Sequence, residues 1–217
     1  MSKPYKIDKN GLRRLIEARM YDEVASAEKK KRTASTIISF LYGSEPFVFY
    51  AAEALGIICG VLEKEDEAEF VREILRRLFW HLRDESGAYC RGAPLAIGEI
   101  GRNAPIAFEG FKNILLSLLR NEEVELKYVI YGIGRAAENM RDAYPDPIEE
   151  LTPFLEHWDV VIRAYALVTL CGLRAKIPAS KIEIGSDEEF EIYFDGRIVR
   201  LRFSDLIDRF HDCLGRD

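Results

Sequence analysis

The chain reads as an all-α-dominated protein, an α-α superhelix (solenoid) closed at its C-terminal end by a β-hairpin and a capping helix. Two observations predict this. A phrase of the form small-x-x-small-apolar-small recurs as Ala51-Ala-Glu-Ala-Leu-Gly56, Ala93-Pro-Leu-Ala-Ile-Gly98, Val129-Ile-Tyr-Gly-Ile-Gly134 and Ala166-Leu-Val-Thr-Leu-Cys171, at spacings of 42, 36 and 37 residues. A period of roughly 35 to 45 residues built from two helices is the signature of a helical repeat array. After Pro178 the period of the apolar residues changes from 3.6 to 2, which marks the end of the repetition.

Each repeated phrase sits on a helix whose small residues let neighbouring helices approach closely. Between these inner helices lie amphipathic outer ones. Phe70, Val71, Ile74, Leu75, Leu78, Phe79 and Leu82 form an apolar stripe at steps of three and four, with Arg72, Glu73, Arg76 and Arg77 opposite. Ile106 to Leu119 repeats the pattern after Pro105. The expected pairs are 30–42 with 45–60, 66–83 with 89–102, 105–120 with 122–140, and 147–156 with 158–174. Gly43-Ser-Glu-Pro46 and Tyr144-Pro-Asp-Pro147 separate helices, with proline favoured in a first turn. Two shorter helical patterns, Gly11 to Arg19 and Tyr21 to Lys31, precede the array. The basic run Lys29-Lys-Lys-Arg32 reads as a solvated face.

Residues 1–178 thus form the repeat array with its N-terminal helices, and 179–217 form a cap of the same domain. Within the cap, Glu189 to Phe194 and Arg197 to Phe203 flank Asp195-Gly196, a two-residue hairpin turn. If Phe194 pairs with Arg197, Ile192 faces Val199 and Phe190 faces Leu201 on one side. On the other side Glu191 meets Arg200 and Glu189 meets Arg202. Ser204 is expected to cap a last helix carrying Leu206, Ile207, Phe210 and Leu214.

Composition narrows the function classes. The chain has 217 residues, 48% of them hydrophobic, and a formal net charge of −6, which argues mildly against nucleic acid or an anionic membrane as main partner. Cys59, Cys90, Cys171 and Cys213 show no C-x-x-C spacing, and three lie among apolar residues, as in a reducing compartment. The N-terminal residues lack a signal-peptide h-region and no apolar run has membrane-span length, so the cytoplasm is the expected location.

The helix pairs resemble HEAT-like repeats of the class named after phycobilin lyases. Asp159-Val-Val-Ile-Arg163-Ala-Tyr-Ala is similar to that family's inner-helix opening, whose aspartate and arginine link neighbouring repeats. The resemblance spans about residues 30 to 174. A narrower likeness, to uncharacterised prokaryotic HEAT-like proteins, rests on Phe40-Leu-Tyr42, Ala51 to Gly56, Trp80-His-Leu-Arg-Asp-Glu-Ser-Gly87 and Gly92 to Ile100. It implies a fold and no particular activity. Three HEAT-like chemistries find no match. The di-iron hydroxylases resembling deoxyhypusine hydroxylase carry His-Glu pairs, and none of His81, His157 and His211 is followed by glutamate. Nothing marks the tetrapyrrole site of the phycobilin lyases. The alkylation-repair DNA glycosylases need a basic groove, which the acidic balance disfavours although Trp80, Asp84, Trp158 and Asp159 are present.

The candidate site residues follow from the repeat frame. Glu99 and Arg135 each lie one residue past the aligned glycine, and Arg102 and Glu138 four past it. In parallel inner helices Glu99 should neighbour Arg135 and Arg102 should neighbour Glu138, as a network that fixes stacking or as a polar binding floor. Asp84, Glu85, Tyr89 and Arg91 occupy the most unusual inter-helix loop, which is either a turn with a cap or a recognition rim. Trp158 opens the last inner helix, and both it and Trp80 read as packing aromatics. The histidines lack metal-ligand spacing, Gly132-Ile-Gly134 is no phosphate loop, and no catalytic nucleophile stands out, so neither metal nor cofactor is expected. The functional expectation is a non-catalytic scaffold that binds another protein through a concave face or the 84–91 rim. The alternative is a HEAT-like nucleic-acid-binding or base-modifying enzyme.

Overall fold

A computed structural model describes residues 7–82, 89–178, 182 and 189–215. The fold is helix-dominated, with an antiparallel hairpin near the C-terminus, and divides into two units, Met1–Lys112 and Asn113–Asp217.

The first unit is organised around α4 (Phe47–Lys64), against which α1 (Lys9–Glu17), α2 (Tyr21–Ala25), α3 (Lys30–Ile38) and α5 (Ala68–His81) pack. α4 is apolar over most of its length and buries Val48, Phe49, Leu55, Ile58 and Leu62 almost completely. Each such side chain contributes about 2 kcal/mol of burial free energy. Its main neighbour is α6 (Ala93–Asn103), and the repeated phrase decides how the two meet. A Cβ placed on Gly56 would lie 2.6 Å from the Glu99 carbonyl oxygen, and one on Gly60 would lie 2.6 Å from that of Asn103. Both contacts join residues 43 positions apart, so α4 and α6 run parallel with their backbones touching. Glu63, at the end of α4, supplies an N-terminal cap to α7 (Pro105–Phe108): its carboxylate accepts from the Ile106 N–H at 3.3 Å and the Ala107 N–H at 2.6 Å. The expected outer helix over 105–120 is broken into α7, a 3-10 turn at Glu109–Phe111, α8 (Lys112–Ser117) and a second 3-10 turn at Leu118–Arg120. Gly110, in the middle of that break, has nothing within 4 Å of its Cβ position, so no packing holds the segment to a single straight helix there.

Buried thiols give this unit a pH signature. Burial pushes the Cys90 thiol up from 9.0 to about 12, and the buried Cys59 thiol, near the Glu63 charge, is raised as well. A folded-state value above the unfolded one means the contribution is complete below pH 9 and is lost as pH climbs toward 12. Urea melts at pH 10 should therefore show about 1 kcal/mol less stability per buried thiol than at pH 7, a loss that shrinks in Cys90→Ala. Equal midpoints at the two pH values would count against it.

In the second unit, α9 (Leu126–Arg135) and α11 (Val160–Gly172) repeat the parallel arrangement. A Cβ on Gly134 would strike the Thr169 Oγ1, and one on Gly172 would lie 3.3 Å from the Ala137 Cβ, again at one constant offset, here 35 residues. Thr169 Oγ1 donates to the Ile130 carbonyl at 3.0 Å and clips the helices together. α10 (Pro147–Leu151) and the 3-10 turn Thr152–Glu156 pack beside α11.

The hairpin has the expected register throughout. β2 (Glu189–Phe194) pairs antiparallel with β3 (Arg197–Arg202), with Ile192 opposite Val199 and Phe190 opposite Leu201. Arg200 lies 2.8 Å from Glu191 and Arg202 3.8 Å from Glu189. Asp195 and Gly196 take φ of 50° and 80°, the two positive values a type I′ turn requires. The last helix differs from expectation. Ser204 lies inside α12 (Phe203–Arg209) and is not its cap; Asp205 reaches back to accept from the Arg202 N–H at 2.8 Å. Nor does Leu214 belong to the helix. It forms β4 (Leu214–Gly215), parallel to β1 (Ile177–Pro178). The hairpin and α12 both pack on α11, with the Arg163 guanidinium 5.6 Å from the Phe203 ring.

Candidate functional site

Four elements of the second unit converge on a cavity of about 390 Å³. α9 offers Tyr131, Gly134 and Arg135, spaced to share one helical face, and α11 offers Tyr165, Val168, Thr169 and Gly172 at i, i+3, i+4 and i+7. The hairpin closes one side with Tyr193 and Phe194, and the chain after α12 adds Phe210 and Cys213. Gly134 and Gly172, at the seam where α9 and α11 touch, lie on its lining.

Three tyrosines form its core. Tyr131 meets Tyr165 edge-on at 5.7 Å between ring centres and Tyr193 at 6.0 Å, and all three rings are buried. Such edge-to-face pairs add about 1 kcal/mol each beyond area burial. Tyr193 opposite Ile198 is a non-hydrogen-bonded position of the ladder, so its N–H points away from β3. Tyr165 Oη accepts that N–H at 2.9 Å, which docks the hairpin on α11 and holds the tyrosine wall in place. Phe194 and Phe210 meet at 6.0 Å with Arg209 above Phe194, and the half-buried Arg135 guanidinium lies 5.9 Å from the Tyr131 ring.

The Cys171 thiol on the cavity wall is not a nucleophile at neutral pH. Burial first, then the neighbouring Cys213, raises the Cys171 thiol well above its ordinary value. A protonated thiol neither attacks nor ligates. What the cavity offers is aromatic surface with Arg135 and Asp195 at its margin, the chemistry of holding an apolar group.

The expected site residues are dispersed. Arg135 lines the cavity. Glu138, in the 3-10 turn after α9, is exposed and pairs with Arg141 at 2.5 Å and Arg174 at 3.3 Å. Trp158 is 85% exposed against His157, and Trp80 is 62% exposed against His81, so neither is the packing aromatic its spacing suggests. Asp159 caps its own helix through the Val161 N–H, and Arg163 folds back onto the His157 and Trp158 carbonyls. In the first unit Glu99 is buried, Arg102 exposed, and Tyr89 and Arg91 half-buried. Asp84 and Glu85 lie outside the described residues. Each expected pair, Glu99 with Arg135 and Arg102 with Glu138, draws one member from each unit. Among the described residues no three His, Cys, Asp or Glu side chains are grouped to hold a metal ion.

Two features escaped the periodicity. Glu53, inside the first repeated phrase, is only 6% exposed and accepts from Tyr21 Oη at 2.5 Å, with Arg19 at 3.4 Å. Tyr193 stands on the charged face of the hairpin, beside Glu189 and Glu191, and an apolar residue there needs a cover.

The fold and its aromatic cavity define a helix-dominated protein with a hairpin docked on its last long helix. No family model matches the chain. An uncharacterised protein of Archaeoglobus fulgidus is 48% identical over 176 residues, covering 80% of this chain and 92% of that protein, and the chain belongs to its family. Among solved structures, an engineered protein is similar at a TM-score of 0.48 and 20% identity, over 80% of this chain and 75% of that one. Among the described residues no helix is long and apolar enough to cross a membrane.

Proposed function

We propose that the chain is a non-catalytic protein-binding module of HEAT-like architecture, working in the cytoplasm, whose tyrosine-lined cavity receives one apolar or aromatic side chain of its partner. The cavity carries the proposal: three tyrosines, two phenylalanines and a marginal arginine around about 390 Å³. Aromatic residues and arginine dominate the energetic centres of protein interfaces, where a partner's anchor fills a desolvated pocket. The HEAT-like part is supported by the two parallel helix pairs, each joined at one glycine of the repeated phrase, Gly56 or Gly134, and at a second glycine, Gly60 or Gly172, with a constant offset within the pair. Inner helices of such arrays face the ligand, and Arg135, an inner-helix residue, lines the cavity. The exposed Tyr144 and Trp158 give the same unit further aromatic surface.

Val168 offers a clean test, because it lines the cavity from a half-exposed position and Val168→Trp fills the space without entering the core. Panning a random peptide display library against the full chain should return peptides sharing one aromatic or large aliphatic anchor. Their Kd should rise at least about tenfold against Val168→Trp, the effect of losing one anchor side chain. Peptides that bind both proteins equally, or a library that yields no enrichment, would refute the proposal.

A further inference from the structure

A second cavity, of about 990 Å³, lies in the first unit between α1 and α3. Its floor is apolar, from Leu12, Leu15 and Ala27, and its rim carries Arg14, Lys29 and Arg32. The local structure explains the arrangement, since Lys29 is the N-cap of α3, Arg32 lies in its first turn, and Arg14 neighbours Leu15 on α1.

How nearby charges are spent singles these three out. Arg13 is held by Glu17 at 2.8 Å, Lys30 by Glu65 at 3.0 Å and Lys31 by Glu67 at 2.8 Å. The basic run is therefore no uniform solvated face: its middle two lysines are neutralised and its two ends open onto the cleft. Among the described residues no carboxylate lies within ion-pair distance of Arg14, Lys29 or Arg32. Lys9, a fourth cation lining the cleft, sits over the Phe40 ring. Two acids also line it. Asp8 is committed to the Gly11 N–H at 2.6 Å, which leaves Glu28 as the one lining acid that caps no helix.

We propose that this cleft binds the phosphoryl groups of a phosphorylated ligand. Three cations without an ion-pair partner around one hollow repel each other, and the cleft's four cations outnumber its two acids, Asp8 and Glu28, so in a chain of net charge −6 that concentration favours an anion carrying more than one charge. Two of the three are guanidiniums, whose planar forks match phosphate oxygens in pairs. The first turn of α3, which no side chain caps, also lines the cleft and adds the positive end of one helix dipole, whereas Asp8 already caps that of α1. The apolar floor accommodates a carbon skeleton beneath the charged rim. This site is independent of the tyrosine cavity and of the protein-binding proposal.

The same chemistry could be presented by a free polyphosphorylated metabolite or by an anionic lipid headgroup, and two probes separate them. Calorimetric titration of the full chain with sodium tripolyphosphate should give saturable one-to-one binding that weakens at least tenfold in Arg14→Ala/Arg32→Ala and also in Lys29→Gln, with unchanged circular dichroism. Cosedimentation with phosphatidylglycerol vesicles, but not phosphatidylcholine vesicles, lost in the same variants while tripolyphosphate binds weakly, would assign the site to a headgroup. Citrate binding as tight as tripolyphosphate, affinity unchanged in the variants, or no binding to either probe would overturn the proposal. So would binding confined to single-stranded DNA.

Discussion

Gly56→Val is expected to destabilise the first unit by about 3 kcal/mol or more. The reason is geometric. Any Cβ at residue 56 falls 2.6 Å from the Glu99 carbonyl oxygen and 2.7 Å from the Glu99 carbonyl carbon, and neither atom can move without shifting α6. Backbone cannot yield as the end of a flexible side chain does, so the helices must separate and lose the packing around Leu55, Ile58 and Ile97. Gly56→Ala should carry much of the same penalty, since the clash belongs to the Cβ. Gly110→Ala is the control: its Cβ position is open, and the loss of unfolded-state entropy should leave stability unchanged or raised by up to about 1 kcal/mol. Urea denaturation of the three proteins checks the ranking. A Gly56→Ala variant as stable as wild type would mean that α4 and α6 are not in backbone contact.

The second large effect is expected at Glu53. Its carboxylate is buried in the middle of α4, with Tyr21 Oη at 2.5 Å and Arg19 at 3.4 Å. Tyr21→Phe leaves a buried charge short of a donor and should cost about 2 kcal/mol, while Glu53→Ala, which removes the group that ties α2 to α4, should cost about 3 kcal/mol. The tyrosine adds an alkaline signature. Burial, followed by the Glu53 carboxylate, raises the Tyr21 hydroxyl far above its ordinary 10.0. Its contribution is therefore complete below pH 10 and is lost as pH rises further, because the unfolded phenol ionises first. Tyr21→Phe should consequently lose less stability than wild type between pH 9 and pH 11. A variant within about 0.5 kcal/mol of wild type at neutral pH would mean the contact is surface decoration.

These two positions also show what the sequence discloses and what it withholds. The repeated phrase announces close helix packing, and Gly56 and Gly134 sit at the contacts it implies, because small residues at helical spacing have few other uses. The hairpin is equally legible. Period-2 alternation, complementary charges and an Asp-Gly turn each specify the same register, and a slip by one residue would expose Phe190 and Ile192. The expected N-cap failed for a local reason: Ser204 and Asp205 are both capping residues, and only the geometry shows which of them reaches Arg202.

The cavity is less legible. Tyr131, Tyr165 and Tyr193 are far apart in sequence, and each alone is compatible with ordinary core packing. Its traces in the sequence are exceptions to the pattern: a tyrosine on the charged face of a hairpin, like a glutamate inside an apolar phrase, has no place in the periodicity. Both are buried against partners from other elements. The charges Glu99, Arg102, Arg135 and Glu138 stand out more in the sequence, yet of these Arg135 alone lines the cavity. Similarity of type and spacing locates residues along a helix; it does not tell which of them face a hollow that later segments complete.

The central claim, that the tyrosine cavity docks a protein, is tested most directly by placing a photocrosslinking benzoylphenylalanine at Val168 and irradiating living cells of the source organism. The expected result is a discrete adduct with one protein partner, abolished by competition with the anchor peptide selected on the wild-type chain. An adduct with a small molecule or nucleic acid and no protein would contradict the account.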